Sequence, residues 1–125
     1  FVLNRLQMAL FREAVHLARD GVASVADIDR AVSEGLGLRW ALIGPYAVEA
    51  TNADGVRDDL EKFGEFMVSV WRELSTAVEP VSEEDIQLAV EGVGELWGEL
   101  SNEELAERRN RFVLRVRGVK AQMAG

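Results

Sequence analysis

The chain has 125 residues, 48% of them hydrophobic, no cysteine, and 14 basic against 22 acidic side chains for a net charge of −8. That size and composition suit one globular domain with its own core and exclude a disordered chain. They also exclude a disulfide framework, a thiol nucleophile and a cysteine metal site. The acidic balance argues against a nucleic-acid partner, and no apolar run approaches the ~20 residues of a membrane span. The missing cysteines suit a reducing cytoplasm, the expected location.

The pattern predicts an all-α fold in a single domain over residues 1–125, with long helices packed antiparallel and an irregular Gly-rich loop. Proline occurs only at positions 45 and 80, and no β-branched alternation is long enough for a strand. The first helix is expected from Phe1 to Asp20, closed by Gly21. Ser24 caps a short second helix to about Glu34, with Asp27 in place of the Glu or Gln that a capping box prefers. The segment GLGLRWALIGPY reads as a loop, and Pro45 opens a short helix to Thr51. After a break at Asn52–Gly55, a long helix is expected from Val56 to Ala77, with Leu60, Phe63, Met67, Val70, Trp71 and Leu74 at helical spacing. Ser82 starts the next, with Ile86, Val90, Val93 and Trp97 as its stripe. Ser101 and Glu104 form a capping box for the last, whose stripe is Leu105, Phe112, Val116, Val119 and Met123.

The first helix carries two apolar faces. At about 100° per residue, Leu3, Leu6, Leu10, Ala14 and Leu17 share one arc, which reads as a core stripe. Asn4, Met8, Phe11, Val15 and Ala18 share a second. Arg5, Arg12, His16 and Arg19 form a basic edge. Two apolar faces require two partners: the rest of the domain, and a second chain or further domain. The chain opens within a hydrophobic run and reads as part of a longer protein. Asn4 is either a core amide satisfied by backbone or water, or an amide aimed at a ligand or neighbouring domain.

The segments FVLNRLQMALFREAVHLARDGVAS and DIDRAVSEGLGLRWALIGPY resemble the C-terminal domain of the 3-hydroxyacyl-CoA dehydrogenase family. The resemblance is greatest to its lambda-crystallin and L-gulonate 3-dehydrogenase branch. It covers Phe1 to about Gly55 and returns at AERRNRFVLRVRGVKAQ. It implies the helical fold shared with the C-terminal domain of 6-phosphogluconate dehydrogenase. It also implies an N-terminal NAD-binding domain, absent from this chain, that carries the Gly-rich phosphate turn and the catalytic His-Glu pair with its supporting Ser. Asn4 matches the one catalytic-site residue that the family takes from its helical domain, orienting substrate or the catalytic His. Where the acyl-CoA enzymes carry a Met-Gly-Pro-type turn, this chain reads RWALIGPY. That departure favours a free hydroxy acid over an acyl-CoA. Arg39 then becomes a carboxylate clamp and Trp40 its shield from water. The alternative makes Arg39 a surface ion-pair residue and Trp40 core.

The remaining clusters read structurally. His16 is solvated or paired with an acid, and one His does not make a metal site. Glu83, Glu84 and Asp85 suit a helix first turn. Gly92, Gly94 and Gly98 allow close helix packing. Trp71 and Trp97 are core or interface anchors. The basic residues of the last helix, Arg108 to Lys120, pair with Glu103, Glu104 and Glu107. The expectation is the substrate-binding and dimerisation domain of an NAD-dependent dehydrogenase, acting on a 3-hydroxy acid such as L-gulonate. A 3-hydroxyacyl-CoA is the alternative substrate, and a non-catalytic helical assembly module is the alternative role. The partners expected are a second copy, the preceding domain and a small substrate.

Overall fold

The computed structural model describes residues 1–76 and 78–124. Their secondary structure is helical in this order: α1 (Val2–Arg19), α2 (Val25–Ala31), a π-helical turn (Val32–Leu36), α3 (Gly37–Trp40), α4 (Pro45–Ala50), α5 (Val56–Glu73), α6 (Glu83–Trp97) and α7 (Asn102–Met123). The all-α expectation therefore holds. Among the described residues, no helix is long and apolar enough to cross a membrane.

The helix ends follow local chemistry. α1 stops at Asp20 because Gly21 takes φ 70°, so that the Gly21 and Val22 amides reach back to the carbonyls of Ala18 and Leu17. The Ser24 hydroxyl accepts the Asp27 amide hydrogen bond at 3.1 Å. Ser82 with Asp85, and Ser101 with Glu104, form complete capping boxes.

Two expectations need correction. The segment read as a loop is helical as far as Trp40, with residues 41–44 non-helical as expected: α2, the π turn and α3 run on from Val25 to Trp40. Gly37 makes this possible, since its amide closes the wide turn on the Val32 carbonyl and an added Cβ would lie 2.7 Å from that oxygen. The helix expected to reach Ala77 ends at Glu73. Leu74 turns to ψ 143°, and the Ser75 amide donates to Glu13 Oε2 of α1 at 3.2 Å, so the chain leaves the helix to meet α1. Ala77 lies outside the described residues.

The packing centre is the junction of α1, α2 and α6. Gly92 is buried there, and a Cβ on it would collide with Cβ and Cγ1 of Val25. The expected close packing thus falls on Gly92, whereas Gly94 faces open space. Charge reinforces the junction. Arg19 donates from Nε to Asp85 Oδ1 at 3.0 Å and from NH2 to Oδ2 at 2.5 Å, and its NH1 reaches Glu79 at 2.6 Å. Asp85 Oδ2 also accepts the Ser82 amide at 2.9 Å. One carboxylate therefore caps α6 and anchors α1.

Away from this junction the chain is open. Ala26 is its buried hydrophobic residue among the described positions. The chain exposes 10208 Å², whereas a compact monomer of its mass exposes about 6,600 Å². The expected core stripe of α1 is largely uncovered, with Leu3 71% and Leu6 59% exposed, because α2 and α6 meet only the C-terminal half of that helix. Trp71, 61% exposed, is not a core residue of this chain.

Two outcomes follow. Gly92→Ala should destabilise the fold by about 1–3 kcal/mol through overpacking, read from urea unfolding. The Arg19 guanidinium and the Ser82 amide hold the Asp85 carboxyl well below the usual carboxylate range. Its stabilising contribution is thus present above the unfolded value of about 4 and fades as pH falls through the acid range. Arg19→Met should lower the melting temperature at pH 7 and flatten its fall between neutral pH and acid.

Candidate functional site

Three features of the chain bear on function: the free half of α1, the groove beside α3 and the face between α4 and α5. Asn4 lies in the first turn of α1 and is exposed. The core reading of this amide is thereby overturned, because the helix projects past its neighbours at that point. Its side chain is open to whatever meets α1 from outside.

Arg39 and Trp40 end the rod that contains the π turn. The Arg39 carbonyl accepts the amides of Leu42 and Ile43, each at 3.1 Å, which closes the rod and turns the chain toward Pro45. Both side chains are exposed, Trp40 at 39%, so Trp40 is not core. Among the described residues Arg39 has no ion pair. The surface ion-pair reading of Arg39 falls with that. Arg39 and Trp40 instead line a groove of about 340 Å³, closed on the other side by Pro45, Glu49 and Asn52. The fold brings Arg39 and Trp40 together. It places Asn4 elsewhere, on a helix whose packing is with α2 and α6, while α3 packs on α4.

The α4–α5 face forms a concavity of about 800 Å³, largely aromatic and apolar, with Glu49, Asp59 and Asn52 among its lining residues. Asp59 is 1% exposed, and its Oδ2 has no hydrogen-bond donor among the described residues. The Glu49 carboxyl meets it from α4, and two carboxyls hydrogen-bond only by sharing a proton. That bond, with burial and the charge of Asp59, raises the Glu49 pKa above its ordinary value, while the Asn52 amide at 3.3 Å opposes the shift. The sequence reading passed over this pair. The signal available was Asp59 itself, since at about 100° per residue it falls on the same arc as Phe63, Val70 and Leu74.

The other clusters resolve simply. His16 is half-buried without an ion pair among the described residues. Asp85 serves as a cap, as expected, and as the Arg19 partner, which was not expected. The cations of α7 do not pair with Glu103, Glu104 or Glu107. Among the described residues none of them forms an ion pair, although Glu104 with Arg108 and Glu107 with Arg111 stand at i,i+4.

Residues 1–69 match the family described as 3-hydroxyacyl-CoA dehydrogenase, C-terminal domain. The chain belongs to that family. Among curated relatives, L-carnitine dehydrogenase of Oceanobacillus iheyensis is 36% identical over 93% of this chain and 38% of its own length. L-carnitine dehydrogenase of Streptomyces coelicolor is 38% identical over 93% of the chain and 36% of its own length. The lambda-crystallin homolog of Bos taurus is 46% identical over 56% of the chain and 22% of its own length. The chain thus spans little more than a third of the relatives it matches along most of its length.

The acid pair makes a measurable difference to stability. Glu49 takes up its proton more readily in the folded chain, so stability is lost as pH rises from its unfolded value through the raised one. Glu49→Gln should therefore raise the melting temperature at pH 7 and leave it unchanged near pH 3, as followed by circular dichroism.

Proposed function

We propose that this chain is the substrate-binding and dimerisation domain of an NAD-dependent dehydrogenase that oxidises a small, free 3-hydroxy acid. The observation that carries the proposal is Arg39, an exposed guanidinium without an ion pair, held beside Trp40 in a groove and in a family of dehydrogenase domains. Its two parallel N–H donors suit a carboxylate. L-Carnitine, the substrate in the names of the relatives that align with nearly all of the chain, is a 3-hydroxy acid with a free carboxylate. L-Gulonate belongs to the same chemical class.

NAD would supply the hydride acceptor. The described residues contain no strand, and so no strand–turn–helix cradle for the phosphates of NAD. An N-terminal domain would hold it, docked against the exposed turns of α1, and would carry the catalytic His of the family. Asn4 would then face the reacting carbon, donating from its amide to the substrate oxygen or orienting the His. Arg39, which one chain places apart from Asn4, would fix the substrate carboxylate where the assembled enzyme brings the two together, and Trp40 would keep water from that ion pair, which strengthens it. The open surface of the chain would be divided between that domain and a second copy.

The test is NAD reduction by the full-length protein with L-carnitine, L-gulonate and a short 3-hydroxyacyl-CoA in parallel. The expected result is turnover of a free acid, with Arg39→Ala raising its KM about 10–100-fold and Asn4→Ala lowering kcat about tenfold. Turnover of the acyl-CoA alone, with Arg39→Ala silent, would overturn the clamp. No turnover of any of the three would leave the helical assembly role.

A further inference from the structure

Helix α7 is 22 residues long and has no extensive packing on any other element. At about 33 Å it is a free-standing rod, and an isolated helix of this kind is marginal in water without a tertiary partner. Its surface is sorted. Leu105, Phe112, Val116, Val119 and Met123 fall within about 60° of arc. Arg108 and Arg115 border that stripe on one side, Arg109 and Lys120 on the other. The nearest carboxylate, Glu104, lies about 100° from its centre.

The α4–α5 face has the opposite character. It presents Leu60, Phe63, Phe66 and Trp71 along about 17 Å of α5, and its charged members are Glu49 and Asp59. Phe66 and Trp71 are 66% and 61% exposed. The apolar stripe of α7 extends about 27 Å, long enough to cover that run. The partly exposed Glu49 of the groove and the arginines of α7, which form no ion pair among the described residues, are complementary, in a chain whose other charges include several local pairs. The surface in excess of a compact monomer, roughly 3,600 Å², is several times the ~800 Å² per partner of a standard interface.

We infer that α7 of one copy lies in the α4–α5 groove of a second copy, its stripe on the aromatic wall and its arginines toward the partly exposed Glu49, and that the exchange is reciprocal. This rests on the dimer reading above and assigns the surfaces to it. A two-fold exchange covers both unpartnered faces in each copy and closes without leaving a free one.

This chain has no cysteine of its own, and any cysteine elsewhere in the full-length protein is first replaced by serine, which makes a direct test possible. The full-length protein carrying Phe63→Cys and Val116→Cys, at the middle of groove and stripe, is prepared in light and heavy isotope forms. These are mixed, refolded together and treated with a short bis-maleimide. Linked peptides are expected that join the thiol introduced in the groove of one isotope form to the thiol introduced on the stripe of the other. Phe63→Cys with Leu114→Cys, on the opposite side of α7, should give none. Independently, Arg108→Glu with Arg115→Glu should weaken the dimer about 100-fold, and a second copy carrying Glu49→Lys should partly restore a mixed dimer. The cross-link is made with the native charges, so it holds whether or not the reversed variants fold. A wild-type dimer with neither mixed peptides nor an effect of charge reversal would overturn the docking of α7 and leave dimerisation standing. Links within one isotope only would place α7 on its own groove and overturn the exchange. A monomeric wild type by light scattering would remove the dimer reading itself.

Discussion

The fork between Arg19 and Asp85 holds together a chain with little hydrophobic burial of its own. Most domains of this length have a continuous core that defines the geometry, with surface charges added afterwards. Here α1 is fixed to α6 by a guanidinium that grips one carboxylate along both oxygens, while that carboxylate also caps α6. Side-chain geometry of this kind sets an angle as well as a distance. The free turns of α1, and Asn4 with them, are aimed by this contact and by the close approach of α2 to α6 at Gly92. The contact is local, but its effect reaches the far end of an 18-residue helix.

The legible part of the sequence was its local part. Ser82, Ser101, Gly21 and Pro45 each act within four residues, and the helix boundaries they define are the ones found. The rod through Gly37 was not legible, because glycine usually signals a break and only the tertiary position of the Val32 carbonyl reveals that a missing Cβ is what lets the helix continue. The fate of the apolar stripes was not legible either. Periodicity reports that Leu3, Leu6 and Trp71 seek cover, but it is silent on whether their own chain supplies it. The first helix had declared two faces, and that was the one stripe where the shortage of internal cover could be read in advance. Asn4 stood out in the apolar pattern of the first helix and took its role from the resemblance, while Arg39 and Trp40 were singled out where the sequence departs from the family's turn. The structure adds their exposure and the grouping of the last two, and it discards the core reading of each that had one.

Charge is distributed along this chain with more order than its net value implies. Glu49 and Asp59 line one groove and Arg108, Arg109, Arg115 and Lys120 border one apolar stripe of α7, while the N-terminal turns of α6 and α7 keep the acids that helix dipoles favour. A net charge of −8 therefore conceals two surfaces of opposite sign. Reading the total alone excludes a polyanionic partner correctly but overlooks the complementarity within the chain itself.

The π turn has a consequence for how specificity in such a domain can change. A π turn accommodates one residue more than the α-helix around it. Everything after it is rotated by about 100° relative to an uninterrupted helix. Arg39 and Trp40 face the α4 groove because of that rotation; in a plain helix a different pair would be presented there. Loss or gain of a single residue between Val32 and Gly37 would thus replace the groove's guanidinium and indole together, without a substitution at either position. Recognition here is encoded in winding as much as in residue identity.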